Sequence, residues 1–287
     1  MKVLILGHGY VGQALQASLP VLMDGCQVDL KSREELDYHT YDTLFRYIVQ
    51  THPQYVINTC GYTGRPNVDA CEADKDNTWY YNVTLPVCLQ QVCTITRKKF
   101  IHVSSGCIYD GYEKEFEETD PPNFGLMNPA SSWYSKTKHA CEMTLRESDM
   151  WTLRIRMPFC STTSERNVLT KLLKYDNIIN QTNSMTCIED LSAFIAKILE
   201  KPIPPGIYNV TNPEAPTTKD IINVFKAHGL HNDNWNYISL EELKKYTKTG
   251  RSNCVLSTRK INDLGLSLPK TLTSLSKCIE KISDKLL

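Results

Sequence analysis

The first dozen residues narrow the fold more than any others. Lys2 to Leu6 is a short apolar run that ends in Gly7-His8-Gly9-Tyr10-Val11-Gly12, after which Gln13 to Leu19 has helical spacing. The order is strand, glycine turn, helix. Glycines at these positions let the backbone turn tightly and approach a pyrophosphate, whose charge settles at the helix N-terminus. Gly7, Gly9, Tyr10, Val11 and Gly12 are therefore candidate dinucleotide-binding residues. The spacing alone is weak evidence, but between a strand and a helix it favours a dinucleotide site over a plain glycine-rich turn.

The chain continues in alternation. Gln27 to Leu30 reads as a strand, Tyr41 to Gln50 as a helix, Tyr55 to Asn58 as a strand and Asn77 to Thr94 as one long helix. The strand Phe100 to Ser104, the helix Tyr134 to Glu147 and the strand Thr152 to Met157 follow. Such alternation predicts an α/β fold with a Rossmann-type doubly wound parallel sheet covered by helices on both faces. After Pro158 the pattern loosens, with a strand at Ile207 to Val210 and a helix near Lys219 to Ala227. We expect residues 1–158 to form the NAD(P)-binding domain and 159–287 a smaller, mainly substrate-binding region, with segments free to interleave.

Composition excludes several function classes. Thirty-two basic residues balance thirty-two acidic ones, so no net field holds the chain on nucleic acid or an anionic membrane. No apolar run approaches the roughly twenty residues of a membrane helix, which predicts a cytoplasmic protein with a small-molecule or protein partner. The eleven cysteines lack CxxC pairs and His-rich spacing, so we expect reduced thiols and no metal site. Most are expected to be small buried hydrophobes.

Two further patterns carry chemistry. Asp29 lies about twenty residues beyond the glycines, where an acid can hold a ribose 2′-hydroxyl. Lys31, Ser32 and Arg33 follow closely and suit a 2′-phosphate, so NADPH is favoured and NADH stays open. Tyr134 and Lys138 stand four residues apart on a predicted helix and share one face, where an ammonium can lower the phenol's pKa and hold a cofactor ribose. A tyrosine so placed can exchange a proton with a reacting oxygen. The serine pair at 104 and 105 adds a hydroxyl. Cys60, Gly61 and Tyr62, just beyond the third strand, join the cofactor candidates.

Together these residues resemble the extended short-chain dehydrogenase/reductases, in the branch acting on nucleotide-activated 4-keto-6-deoxy sugars. That resemblance implies a catalytic set of Ser105, Tyr134 and Lys138, with Asn82 as a structural asparagine. Within the branch, TGRPNVDACE (63–72), GCIY (106–109), WYSKTK (133–138), LRIRMP (153–158), NSMT (183–186) and GIYNVTNP (206–213) are similar to the plant-type bifunctional 3,5-epimerase/4-reductases that make UDP-L-rhamnose. The implied substrate is UDP-4-keto-6-deoxyglucose, supplied by a separate dehydratase, and the implied assembly allows a homodimer.

The same resemblance gives Cys107 and Lys171 the epimerase roles. A ketone at C4 acidifies the hydrogens on C3 and C5, so inversion needs a base on one face of the ring and an acid on the other. A thiol and a desolvated amine both approach neutral operation. Ser105 would hydrogen-bond the C4 oxygen, Tyr134 would protonate it on reduction, and Lys138 would support the phenol. Arg166 and Asn167 are candidates for the sugar or diphosphate, and Arg251 for the nucleotide. Two other readings stay open: a reductase of the dTDP sugar without epimerase activity, and a cofactor-binding regulatory subunit of the same fold. On spacing alone, Cys107 could be core and Lys171 a solvated helix residue.

Overall fold

A computed structural model describes residues 1–286. Six strands, β1 (Lys2–Leu6), β2 (Gln27–Lys31), β3 (Tyr55–Asn58), β4 (Lys99–Ser105), β5 (Trp151–Ile155) and β6 (Gly206–Asn209), form one sheet in the order β2-β1-β3-β4-β5-β6. Every pairing is parallel. Parallel strands are buried on both faces and read as continuous apolar runs, as in Val3-Leu4-Ile5-Leu6. Helices Tyr10–Leu22 and Ile188–Glu200 cover one face through Leu15, Leu19, Leu191 and Phe194. Helices Tyr41–Thr51, Leu85–Ile95 and Trp133–Leu145 cover the other through Leu44, Ile48, Leu89 and Cys141.

The chain leaves β1 for β2 on one side and returns to β3 on the other. That reversal opens a crevice at the strands' C-terminal ends, the place where open α/β sheets bind ligands. β6 and the helix Ile188–Glu200 both come from beyond residue 158, so the nucleotide fold and the C-terminal region interleave. The latter has its own core around Phe159, Leu169, Met185, Ile221, Phe225 and Ile279. No described helix is long and apolar enough to cross a membrane.

The long helix expected over 77–94 is broken. It runs as Lys75–Trp79, a π-helical turn at Tyr80–Thr84, then Leu85–Ile95. Pro86 has no N–H to give the carbonyl four residues back, and Leu85 N donates instead to Tyr80 O, five residues back. Asn82 lies inside this wider turn.

Candidate active site

The glycine turn has the shape that a dinucleotide requires. A Cβ on Gly12 would lie 2.1 Å from Gly7 O, so only glycine lets the helix start this close to β1. Gly7 adopts a φ of +108°, and a Cβ there would meet Thr59 and Cys60. Gly9 has open space where its Cβ would be, which leaves room for a pyrophosphate. The residues fit the cofactor. Tyr10 and Val11 offer only backbone to it, because their side chains pack on the core beside the helix Ile188–Glu200. The Tyr10 hydroxyl is buried without a partner, and burial pushes its pKa far up.

At the end of β2, Asp29 is already engaged. Lys31 Nζ lies 3.0 Å from its carboxylate, and the Tyr47 hydroxyl also donates to it. Lys31, expected to face a 2′-phosphate, is thus turned back on Asp29. Ser32 N donates to Glu35 Oε2 at 2.8 Å, closing a turn. Arg33 remains 59% exposed, with Nη1 donating to Tyr81 Oη at 2.9 Å. It borders a 440 Å³ cleft lined also by Tyr62, Thr63, Arg65, Tyr81 and Arg166.

The three residues expected to form the catalytic set gather at the end of β4 and the start of the helix Trp133–Leu145. Ser105 is the last residue of β4, and both it and Tyr134 are buried. Tyr134 and Lys138 lie on the first turns of the helix Trp133–Leu145, where Ser132 Oγ accepts from Ser135 N at 3.1 Å and Glu72 Oε1 accepts from Trp133 N at 2.6 Å. These contacts fix the helix start. Lys138 Nζ sits 5.7 Å from the Tyr134 ring centroid and against Gly61. Asn82 accepts from Tyr62 N at 2.8 Å and donates to Tyr62 O at 2.9 Å and Thr137 Oγ1 at 3.1 Å, tying the π turn to the loop after β3 and to the catalytic helix.

One electrostatic expectation is corrected here. Burial, reinforced by the nearby Cys107, raises the Tyr134 pKa, and burial lowers that of Lys138. Desolvation therefore outweighs any help from the ammonium, and the phenol is held as a proton donor. His102 lies behind the pair, its pKa pushed down to about 3 by burial and by Lys138, so it is a neutral member of the core. The Cys60 thiol, pushed up to about 11 by burial, donates to Tyr38 Oη at 3.4 Å.

Cys107 follows two residues after Ser105, half-buried, with its N–H donating to Ser105 Oγ at 3.2 Å. Lys171 lies on the short helix Val168–Lys174, and burial together with the neighbouring Arg166 lowers its pKa. The two arginines expected to meet substrate both hold the 63–72 segment. Arg166 Nη1 donates to Thr63 Oγ1 at 2.7 Å and Gly64 O at 2.8 Å, and Arg251 forms a bidentate pair with Asp69 at 2.8 and 2.9 Å. Asn167, expected to face the sugar or diphosphate, has its polar atoms engaged within the protein. It is fully buried and caps its helix through Leu169 N at 3.0 Å, while its amide donates to Cys160 O and Thr162 O, both at 2.8 Å.

Sequence reasoning missed Arg156, the second arginine of LRIRMP. It is buried, with Nη1 3.7 Å from Cys107 Sγ. The available signal was a second charged residue at the end of a strand whose other positions are all buried.

Residues 1–283 match the family described as RmlD substrate binding domain. A bifunctional dTDP-4-dehydrorhamnose 3,5-epimerase/dTDP-4-dehydrorhamnose reductase of Arabidopsis thaliana is 34% identical, over 75% of this chain and 72% of that protein. A trifunctional UDP-glucose 4,6-dehydratase/UDP-4-keto-6-deoxy-D-glucose 3,5-epimerase/UDP-4-keto-L-rhamnose-reductase of the same plant is 36% identical over 73% of this chain. This chain spans about a third of that longer protein, 32% of its length. Among solved structures, the L780 UDP-rhamnose synthase of Acanthamoeba polyphaga mimivirus superposes with a TM-score of 0.88 at 27% identity, covering 98% of this chain and 99% of that one. A dTDP-4-dehydrorhamnose reductase of Clostridium acetobutylicum shares the fold at a TM-score of 0.81 and 20% identity, over 100% of this chain and 99% of that one.

Proposed function

The chain belongs to the RmlD substrate binding domain family, and from that premise we propose that it is an NADPH-dependent 4-keto sugar reductase of rhamnose synthesis that also inverts C3 and C5 of its substrate. UDP-4-keto-6-deoxy-D-glucose is the substrate and UDP-L-rhamnose the product. The observation carrying this reading is that Cys107 donates its N–H to Ser105 Oγ at 3.2 Å, which sets a thiol beside the residues of the reductase set. A reductase alone has no use for a thiol at that point. Similarity over nearly the whole length to the mimivirus UDP-rhamnose synthase supports the UDP sugar.

A bound NADPH would supply the hydride for C4. Gly9 and the start of the helix Tyr10–Leu22 would hold its pyrophosphate, and Arg33 would serve its 2′-phosphate, since Asp29 is occupied by Lys31 and Tyr47. Before reduction, Cys107 and Lys171 move protons on and off the carbons flanking the ketone. Ser105 donates to the C4 oxygen as enolate charge develops there. Tyr134, kept protonated by burial, then gives that oxygen its proton as the ketone becomes an alcohol.

Deuterium separates the two activities. In D₂O without NADPH, the protein should wash deuterium into C3 and C5 of the 4-keto sugar. Cys107→Ala or Lys171→Met should suppress that exchange by about 10²- to 10⁴-fold, while a 4-keto sugar already in the L-configuration is still reduced. Exchange at the parent rate in both variants would leave a reductase alone. Turnover of the dTDP sugar but not the UDP sugar would reassign the nucleotide.

A further inference from the structure

Two arginines close the β5 segment, Arg154 and Arg156, and both are buried. Arg154 has a counter-charge: Nε and Nη2 donate to the two Glu142 oxygens at 2.8 and 2.5 Å. Arg156 has none, for no Asp or Glu among the described residues lies within ion-pair distance of its guanidinium. Its neighbours are neutral oxygens. Nη1 donates to Ser252 Oγ at 2.7 Å and Gly106 O at 3.2 Å, and Nη2 donates to Asn183 Oδ1 at 2.6 Å and Ser252 O at 3.0 Å. Nε is buried with no partner.

The pocket is built around this side chain. A Cβ on Gly106 would lie 3.2 Å from Arg156 Cγ and 2.4 Å from Leu256 Cδ1, so the glycine before Cys107 leaves room for the arginine to pass beneath it. A guanidinium stays charged in a protein, and a buried charge lacking its opposite is costly. Cys254 and Cys107 are the groups that act on this guanidinium most strongly, ahead of Tyr112 and of Asp110, which lies beyond ion-pair distance. Cys254 is fully buried, and burial pushes its thiol up, which keeps it neutral. Cys107 is half-buried at the candidate site and accepts from Nη1 at 3.7 Å.

We propose that Arg156 is the counter-charge of Cys107 in its thiolate form, a positioning residue that makes Cys107 the proton acceptor of the epimerase pair and leaves Lys171 as the donor. This rests on the epimerase reading above. The thiolate takes the proton from a carbon beside the ketone, the C–H electron pair passes into the enolate, and the sulfur becomes a neutral thiol. The Lys171 ammonium then returns a proton from the opposite face and becomes an amine. Proton exchange with water resets both groups.

The test reads the sulfur directly. Iodoacetamide alkylates thiolates, and peptide mass spectrometry follows Cys107 separately from the exposed Cys88, which serves as internal reference. At pH 7, Arg156→Gln should slow alkylation of Cys107 about tenfold or more, slow deuterium exchange comparably and leave Cys88 unchanged. Arg156→Lys, which keeps the charge but loses the fork, should recover part of both rates. Ser252→Ala removes only the hydroxyl that aims Nη1 and should give a smaller slowing, which covers the case in which Arg156→Gln fails to fold. Parent-like alkylation of Cys107 in either the Arg156→Gln or the Ser252→Ala protein overturns the proposal. Unimpaired exchange in Cys107→Ala would overturn the epimerase reading instead.

Discussion

Ser105, Tyr134 and Lys138 stand on the last residue of a central strand and the first turns of one helix, whereas Cys107 and Lys171 stand on a loop and on the helix Val168–Lys174 outside the sheet. The first group inherits its geometry from the sheet core. The second is held by side chains from distant sequence: Arg156 beneath Cys107, Ser252 and Asn183 around Arg156, and Arg166 beside Lys171. On the proposed reading, reduction is built into the sheet half of the site, whereas proton shuttling would depend on contacts that span the two interleaved regions and could be lost without disturbing the sheet.

The sharpest way to separate the halves is Tyr134→Phe. It should cut reduction by about 10²- to 10⁴-fold and leave deuterium exchange and NADPH binding largely intact, because only the phenolic proton is removed. Assays of NADPH oxidation and of C3 and C5 exchange on the same preparation check it. Loss of both activities together would break the comparison.

A weaker effect is expected at the clasp over the 63–72 segment. Arg251→Ala releases Asp69 from a bidentate pair in a half-buried setting. Asp69 lies in the segment whose Glu72 holds the first turn of the catalytic helix, so both halves should feel the change. We expect KM for the nucleotide sugar to rise about tenfold, with a smaller change in kcat for reduction, since charge-assisted bonds of this kind carry roughly 1.5–3 kcal/mol. An unchanged KM with a collapsed kcat would move Arg251 into the reducing half.

Arg33→Ala should act on the cofactor alone. It removes the exposed guanidinium bordering the 440 Å³ cleft, and NADPH should weaken several-fold more than NADH. Binding titrations with both cofactors decide it. Equal losses would show that Arg33 serves Tyr81 and Glu34 only.

The contrast also explains what the sequence could reveal. Strand runs such as KVLIL, the glycine turn and the Tyr134/Lys138 spacing are local patterns, and all reappear where expected. The π turn at Tyr80–Thr84 hid because Pro86 sits in the middle of a run that otherwise reads as one helix, and its effect emerges only when the carbonyl lacking a donor is counted. Asn167 read as a ligand because its polarity was visible while its saturating partners, Cys160 O and Thr162 O, were not. Arg156 went unread for the converse reason. Nothing in LRIRMP distinguishes an arginine that pairs with Glu142 from one without a carboxylate, since Glu142 lies on another element.

The subtlest test concerns the charge felt by Lys171. Burial lowers its pKa first, and the Arg166 cation lowers it further, because two like charges at close range disfavour the protonated amine. Arg166→Gln removes the second contribution and leaves the first. The ammonium should then survive to higher pH, so the limb of the exchange profile that reports Lys171 should move upward. Arg166 also holds Thr63 and Gly64, so a KM change is expected alongside, and exchange must be measured at saturating sugar. Reduction of the L-configured sugar should keep its pH profile, for Tyr134 and Lys138 owe their shifts chiefly to burial in the sheet half of the site. A profile that moves for reduction as well as exchange would mean that Arg166 acts on the whole pocket, and the two halves would then share one electrostatic environment.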